Sequence, residues 1–319
     1  MRKGRDITSM DQAITILQVI SPIFTAVILG IYARRASMMT PEQMQGLQQF
    51  VLKFGLPCVL FNSCYSASLG AESVTSMALI LPLLLLSSIW GFRLRKNKFP
   101  YYNLPMMFSS QETGMLGIPL FIALFGAEHA YRIGVLDLAQ SVIAIPMIAI
   151  LAAGTGKTPS VSEIIKDVIR SPLLLMSLFG LALNLSGMAA LLNKTGFGAV
   201  ITQATSFLAQ PVSAAMLFSV GYNFSIRQGN RGTIFRLAGL HFALFAVFCA
   251  VMQAALFLMP SVTPETRWAV LLYCTLPCSY LTPGLGRTEE EYTVTSSICS
   301  ILTLVSLAIF CGIAIAVVS

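Results

Sequence analysis

Charged residues are scarce in this sequence. Asp, Glu, Lys and Arg together make up 10% of the 319 residues, whereas 56% are hydrophobic. A soluble globular domain needs a more polar surface than this composition supplies. The formal net charge of +7 does not indicate a nucleic-acid partner, because the basic residues lie in short segments between apolar runs and form no continuous patch.

Motifs for catalysis, cofactors and metal ions are also absent. The seven Cys fall inside apolar runs, none is spaced as Cys-x-x-Cys, and there are only two His. No Gly-x-Ser-x-Gly sequence occurs, and the Gly-Thr-Gly-Lys-Thr at 154–158 has Leu151 where a phosphate-binding loop requires Gly. We therefore predict no enzyme activity, no metal site and no cofactor, apart from Na⁺ or H⁺ as a coupling ion.

Long apolar runs are what the sequence has instead. A membrane-spanning helix needs about 20 mostly apolar residues. Ten such runs use nearly the whole chain, which predicts an all-α polytopic membrane protein with no separate soluble domain. The runs lie approximately at 14–33, 47–66, 73–94, 105–126, 130–153, 171–190, 200–222, 233–258, 266–286 and 294–318.

Lys and Arg are distributed unevenly among the segments that connect these runs. The segments after odd-numbered runs contain thirteen, and those after even-numbered runs contain three. The positive-inside rule then places the odd-numbered segments in the cytoplasm and both termini outside. Arg2, Lys3 and Arg5 oppose this orientation, and a start at Met10 would remove them. We expect an integral protein of the plasma (inner) membrane.

Landmarks of the first half recur in order in the second half. Each half contains five runs, an odd number, so a duplicated unit must be inserted with opposite orientation. The predicted domains are a first five-helix repeat at 1–155, a cytoplasmic loop at 156–170 and a second, inverted repeat at 171–319. The alternative is coincidental placement of prolines in helices that tolerate them. Three proline pairs keep separations of 150, 154 and 158 residues: Pro22 and Pro172, Pro57 and Pro211, Pro119 and Pro277.

The fourth and ninth runs are interrupted at their middles, in corresponding places of the two halves. One contains the sequence Gly-Met-Leu-Gly-Ile-Pro at 114–119, and the other contains Pro277 among polar residues. Proline removes a backbone donor and clashes with the preceding turn. Freed backbone groups are tolerated in a bilayer only where protein or a water-filled cavity covers them. Paired, interrupted helices therefore indicate a transporter binding site near mid-membrane.

Four short motifs carry a family resemblance over nearly the whole chain. They are Phe-Gly-Leu-Pro at 54–57, the 114–119 sequence, Ser-Pro at 171–172, and Pro277 with the stretch 297–303. In these the chain resembles the auxin efflux carrier family, which includes bacterial malonate and malate permeases and the plant PIN carriers. That resemblance implies ten helices in two inverted repeats, crossing broken helices as in sodium/proton antiporters, and transport of small organic anions. The chain departs from the family at Glu112, where Asn is common.

The ends of the broken helices suggest which groups bind there. Free N–H groups of half-helices that begin near Pro119 and Pro277 suit an anion, whereas free carbonyls near Thr113 and Leu276 suit a cation. The predicted substrate-binding residues are Gln111, Thr113, Gly114, Gly117, Pro119, Pro277, Cys278, Ser279, Tyr280 and Asn62.

Two acids within the runs are candidates for ion or proton coupling. A carboxylate at the bilayer centre costs about 2.5–3.5 kcal/mol, so Glu112 and Asp137 are expected to have a function. The alternatives are a structural acid bonded within the bundle for Glu112 and a position at the membrane interface for Asp137. Asn62 has the alternative of a helix–helix hydrogen bond. His241 is expected to be a packed core residue.

The predicted function is secondary active transport of a small organic anion, coupled to H⁺ or Na⁺. The substrate is a mono- or dicarboxylate, auxin-like or malonate/malate-like. The alternative is a cation/proton antiporter of the same fold that uses Glu112 and Asp137. The expected partners are the substrate and the lipid bilayer, with no nucleic acid, and a homodimer is one option for the assembly.

Overall fold

The computed structural model describes residues 9–67, 70–153, 170–225, 230–259 and 262–318, and every regular element in these ranges is a helix. The first half contains α1 (Ser9–Arg35), α2 (Pro41–Phe50), α3 (Leu56–Tyr65), α4 (Ala71–Asn97), α5 (Leu104–Met107), α6 (Ile118–Phe125) and α7 (Tyr131–Ala153). The second half contains α8 (Pro172–Leu185), α9 (Met188–Lys194), α10 (Phe197–Ala209), α11 (Val212–Asn223), α12 (Arg231–Phe257), α13 (Pro264–Thr275) and α14 (Glu289–Val318).

Several of these helices have the length and composition of membrane spans. Six described helices qualify, and the pair α8 and α9, bent by 78°, makes a seventh candidate. The chain is therefore a polytopic, all-helical protein. The predicted runs at 47–66, 105–126 and 266–286 contain breaks or shorter helices, so the count of ten spans stays a prediction. The predicted loop at 156–170 lies outside the described residues except for Arg170.

The helices pack as two groups. The first bundle contains α1–α3 and α8–α11, with α1 against α11 and α3 against α8 and α10. The second bundle contains α4, α5, α7 and α12–α14, with α12 in contact with α4, α13 and α14. Between them lies α6, which packs mainly against α11. This arrangement places the interrupted fourth run at the boundary between the bundles.

A glycine mediates the docking of α1 on α11 and of α8 on α3. A Cβ atom at Gly30 would lie 2.0 Å from the carbonyl oxygen of Phe218, and one at Gly180 would lie 2.6 Å from that of Phe61. Only a residue without a side chain lets two helix backbones approach this closely. The two helix pairs therefore dock through the same kind of contact.

In each docked pair, a tyrosine of one helix bonds to the segment that follows the other helix. The hydroxyl of Tyr222 donates to the carbonyl of Met39 at 2.8 Å, and that of Tyr65 donates to the carbonyl of Ala189 at 3.1 Å. The two acceptors are 150 residues apart and the two tyrosines are 157 residues apart. The two docked pairs thus resemble each other in a glycine contact and in a tyrosine hydrogen bond.

A π turn precedes the proline of both the Gly-Leu-Pro and the Gly-Ile-Pro sequences. Val51–Gly55 leads to Pro57, and Thr113–Gly117 leads to Pro119. In an α-helix, the proline ring would collide with the carbonyl four residues earlier and leave it without a donor. The wider π turn changes the position of that carbonyl, so the helix continues through the proline.

Candidate functional site

Two interruptions in the helical structure lie at the centre of the molecule. The first break, residues 108–112, separates α5 from the helix that begins at Thr113. The second break, residues 276–282, follows the end of α13. Both breaks fall in the runs for which sequence analysis predicts them.

The two breaks run antiparallel and are bonded to each other through their backbones. The N–H of Glu112 donates to the carbonyl of Pro277 at 2.8 Å, and the N–H of Ser279 donates to that of Ser110 at 3.2 Å. These bonds form an isolated β-bridge at the level where both helices are interrupted. The bridge satisfies backbone groups that the breaks would otherwise leave unpaired in a bilayer. We call this paired region the crossover.

The half-helix that follows the first break begins earlier in the chain than the position of Pro119 predicts. Sequence analysis places its start near Pro119, but the helix begins at Thr113, and Pro119 lies inside it. The reason is the π turn, in which the N–H of Ile118 bonds to the carbonyl of Thr113. Thr113 therefore begins a helix and does not end one, so its carbonyl is not a free helix end.

The second half-helix that was predicted to begin near Pro277 does not form. After Pro277 the chain makes only local turns, in which Thr282 donates to the carbonyl of Ser279 at 2.9 Å, followed by a 3₁₀ turn at Pro283–Leu285. Residues 277–279 pair with the first break through their backbone, and Pro283 lacks the N–H that a helix through this segment would need, so the helix is not resumed. The crossover thus contains one helix N-terminus.

The carboxylate of Glu112 binds one N–H group of the second break and one in the first turn of the helix that follows the first break. One of its oxygens accepts from the N–H of Tyr280 at 2.6 Å, and the other accepts from the N–H of Met115 at 3.3 Å. Its side chain is 8% exposed and caps the helix that begins at Thr113. A helix N-terminus favours negative charge, so this carboxylate lies in the donor site that suits an anion.

The amide of Gln111 binds the opposite kind of group. With its nitrogen oriented toward acceptors, it donates to the carbonyl of Pro277 at 3.0 Å, to that of Leu276 at 3.2 Å and to Nε2 of His241 at 3.2 Å. A cation was the predicted ligand of the free carbonyl of Leu276 at the end of α13. The Gln111 side chain of the first break binds this carbonyl instead. Gln111 is buried, and whether it also contacts a substrate stays a prediction.

His241 lies on α12 beside this amide. Its ring centroid is 4.7 Å from that of Phe245 and 5.9 Å from that of Phe108. The residue is buried between aromatic rings, as expected for a packed histidine. It contributes an acceptor for Gln111 and extends the crossover network to α12.

Gln140 joins Asp137 to the crossover. Its Oε1 accepts from the N–H of Gln111 at 2.9 Å and from the hydroxyl of Tyr273 at 2.7 Å. Its Nε2 donates to the carbonyl of Gln111 at 3.0 Å, to Oγ1 of Thr113 at 3.1 Å and to Oδ1 of Asp137 at 2.8 Å. Gln140 is not among the predicted site residues, although it lies three residues from an intramembrane acid on the same helix, which is a usable signal.

A cavity of about 440 Å³ leads to the crossover from the C-terminal ends of α1 and α11. Arg34 lies at its entrance and donates to the carbonyl of Tyr222 at 3.1 Å. Tyr280 lies at its inner end, and its hydroxyl shares a hydrogen bond of 2.8 Å with that of Thr303. The described residues that line this cavity include no acid. We call this cavity the vestibule.

Asn62 lies away from the crossover. It lines a second cavity of about 620 Å³ at the opposite ends of the helices, between α3 and α10. Its amide nitrogen donates to Oγ of Ser206 at 3.1 Å, and its oxygen accepts from the hydroxyl of Thr205. These contacts correspond to the alternative of a helix–helix hydrogen bond. The structure does not bring Asn62 together with the other predicted site residues.

The remaining predicted residues are placed at the crossover with different degrees of burial. The Sγ of Cys278 lies 3.3 Å from that of Cys299 on α14, and Ser279 is buried beside it. Gly114 is partly exposed in the first turn of the new helix, whereas Gly117 and Pro119 are buried deeper in it. Among the described residues, no group of three or more His, Cys, Asp or Glu could hold a metal ion.

A family model described as Membrane transport protein matches residues 15–318. No curated protein matches the chain. Because the family match covers nearly the whole sequence, the chain belongs to this family of membrane transport proteins, the auxin efflux carrier family. The family consists of transporters and not of enzymes. This confirms the predicted family and the prediction that the chain is not an enzyme.

Proposed function

We propose that this transporter moves a small organic anion, a mono- or dicarboxylate, in secondary active transport coupled to H⁺ or Na⁺. One observation carries the proposal: the carboxylate of Glu112 lies between an N–H donor of the second break and one at the start of the helix from Thr113, next to a cavity with a cationic entrance. The donors that bind this carboxylate have the geometry to bind the carboxylate of a substrate. The assignment of an anion rests on those donors and on the family.

The proposed architecture is ten membrane spans in two inverted repeats, 1–155 and 171–319. The support is the matched docking of α1 on α11 and of α8 on α3, each with a close glycine and with a tyrosine hydroxyl bond to the segment that follows α1 or α8. An inverted repeat offers two related conformations, one open to each side of the membrane. In the proposed orientation, the vestibule opens to the cytoplasm, and both termini lie outside in the plasma (inner) membrane.

Competition for the same donors gives a mechanism for coupling to protons. An ionised Glu112 bonds strongly to the N–H groups of Tyr280 and Met115. When Glu112 is protonated, its charge is lost and it accepts these bonds more weakly. The donors and the positive end of the helix then become available to a substrate carboxylate. Substrate and proton would therefore bind together, which is the requirement for symport.

The vestibule is suited to deliver an anion to this site. Arg34 at its entrance supplies positive charge, and Ser300 and Thr303 supply hydroxyl groups farther in. Charge of one sign along a cleft concentrates ligands of the opposite sign. Tyr280 connects the two regions, because its side chain lines the vestibule and its N–H bonds to Glu112.

The cation/proton antiporter is the second candidate. It is favoured by the burial of both Glu112 and Asp137. Asp137 accepts from Gln140, which also donates to Thr113, the residue next to Glu112 in the chain. A cation would need free oxygen ligands, however, and the carbonyls of Leu276 and Pro277 already accept from Gln111. A Na⁺ site would require this amide to move away.

Transport in proteoliposomes tests the proposal. Labelled mono- and dicarboxylates are offered under a pH gradient, a Na⁺ gradient or neither, and counterflow is measured with unlabelled substrate inside. We expect accumulation of a carboxylate under one of the gradients and accelerated exchange in counterflow. Dissipation of a pH gradient by Na⁺ or K⁺, with no carboxylate moved, would overturn the proposal and favour the antiporter.

A further inference from the structure

A groove on the outside of the second bundle is distinct from both cavities described above. It lies between the C-terminal end of α4 and the N-terminal end of α12 and has a volume of about 810 Å³. Its lining consists of Trp90, Arg93, Leu94, Asn97, Lys98, Phe99, Phe235, Arg236, Gly239 and Leu240. None of these residues lines the vestibule or belongs to the crossover.

Three cations line this groove. Arg93 and Lys98 come from α4 and the residue that follows it, and Arg236 comes from the second turn of α12. All three are exposed, and the described lining includes no acid. Basic residues of two helices therefore line one groove at the end where the two helices meet.

The rest of the groove is apolar and open. Trp90, Phe235 and Leu240 line it, and Phe235 is 64% exposed. A Cβ placed on Gly239 would meet no atom within 4 Å, so the backbone at this point forms an empty floor. A hydrocarbon chain can lie along this floor, and a free phosphate ion would leave it unfilled.

We propose that the groove binds an anionic phospholipid, with its phosphate on Arg93, Lys98 and Arg236 and an acyl chain across Gly239. Basic pockets between membrane helices near the surface are suited to anionic headgroups, and each basic residue contributes about 1 kcal/mol. The tryptophan ring is suited to the interface between headgroups and hydrocarbon. Charge and apolar floor together match one occupant, a lipid with a negative headgroup.

Occupancy of the groove has a direct route to the crossover. The ring of Trp90 packs edge-on against that of Phe108, with centroids 5.1 Å apart. Phe108 is the first residue of the first break, and its carbonyl accepts from the hydroxyl of Ser87 at 2.6 Å. A lipid that fixes Trp90 therefore also restricts the residue from which the first break starts.

Native mass spectrometry of the purified full chain tests the site without a transport assay. The protein is titrated with phosphatidylglycerol, with phosphatidylcholine of the same acyl chains, and with inorganic phosphate. We expect phosphatidylglycerol to bind at least about fivefold more tightly than phosphatidylcholine, because its headgroup carries net negative charge. Inorganic phosphate should fail to displace it.

Variants separate the groove from the general positive charge of this face. Arg93→Gln and Arg236→Gln should each weaken phosphatidylglycerol binding about fivefold, the factor that corresponds to about 1 kcal/mol. Gly239→Leu fills the floor without a clash and should weaken both lipids. The matched controls are Lys96→Gln and Arg231→Gln, which change exposed cations outside the groove and should have less than a twofold effect. Equal losses in the controls, unchanged binding in Gly239→Leu, or displacement by inorganic phosphate would each overturn the proposal.

Discussion

The two breaks of the crossover differ in what they contribute to it. The first break supplies polar side chains, Gln111 and Glu112, and is followed by a regular helix from Thr113. The second break supplies backbone groups, the carbonyls of Leu276 and Pro277 and the N–H of Tyr280, and no helix follows it. Sequence symmetry between the halves therefore does not extend to chemical equivalence at their centre.

This difference assigns opposite tasks to neighbouring side chains. Gln111 donates to the acceptors of the second break, and Glu112 accepts from its donor. One break thus compensates for both kinds of unpaired group in the other. Pro277 can then interrupt the helix while the carbonyls of Leu276 and Pro277 and the N–H of Tyr280 stay bonded in the bilayer.

The largest predicted effect is that of removing the charge of the first break. Glu112→Gln keeps the size of the side chain but eliminates the group that takes up the proton. We expect uphill transport driven by a pH gradient to be abolished, while exchange of substrate in counterflow continues. Uptake and counterflow in the same proteoliposomes measure both. Unchanged uphill transport would remove Glu112 from the coupling mechanism.

The next largest effect is expected on stability, from loss of the donor that serves the second break. Gln111→Leu leaves the buried carbonyl of Leu276 without this donor and should reduce the free energy of unfolding by about 2–3 kcal/mol. The matched control is a substitution of Ser110, the preceding residue in the same break. Ser110 is buried and its hydroxyl has no hydrogen-bond partner among the described residues, so Ser110→Ala should be neutral or stabilising. Unfolding in a detergent titration gives both values, and equal losses would mean that the break has no special donor.

Proline substitutions compare the helix that forms with the one that does not. In Pro119→Ala the restored N–H lets the π turn tighten, which displaces the N–H groups at the start of that helix. Carboxylate affinity should fall by about 1–2 kcal/mol, roughly 5- to 30-fold, without a lower Tm. Pro277→Ala should have a smaller effect, because no helix follows it.

Pro57→Ala is the control for this series. Pro57 follows the same kind of π turn but lies in the first bundle. Its substitution should leave carboxylate binding, measured by thermal stabilisation of the purified protein, unchanged. An affinity loss in Pro57→Ala that equals that in Pro119→Ala would show that any proline kink has this effect.

The smallest predicted effects concern serines that support the two breaks from neighbouring helices. Ser87 donates to the carbonyl of Phe108 at the first break, and Ser306 donates to that of Thr275 just before the second. Ser87→Ala and Ser306→Ala should each reduce the free energy of unfolding by about 1 kcal/mol. Similar losses of unfolding free energy in the two variants would show that the breaks differ in their own side chains and not in the serines that support them. A loss above about 3 kcal/mol in only one of them would contradict this.

Much of the crossover follows from the sequence because its signals are local. Proline and glycine within apolar runs located both breaks, and the cost of a buried carboxylate singled out Glu112. The helix start at Thr113 could not be predicted, because it depends on a π turn whose bonds skip one residue relative to an α-helix. The missing helix after Pro277 depends on pairing with a break more than 160 residues away.

Other parts of the site depend on packing between distant helices. Gln140 is an ordinary polar residue in the sequence, and only the approach of α7 to the first break gives it partners. The amide of Asn62 is a group that could bind a substrate, but α10 lies beside it and its hydroxyl groups bind that amide. The vestibule is formed by residues from both halves and by ends of several helices, so no single stretch of sequence indicates it.

The central claim is that Glu112 and the substrate carboxylate compete for the same N–H donors. The most direct test is the affinity of the purified protein for a carboxylate that stays ionised between about pH 5 and 8, measured across that range for the native chain and for Glu112→Gln. Above the pH at which Glu112 titrates, the protonated fraction falls tenfold per pH unit, so native affinity should fall by up to that factor. The variant should bind with an affinity that does not change with pH. The same pH dependence in both proteins, or none in the native chain, would contradict the account.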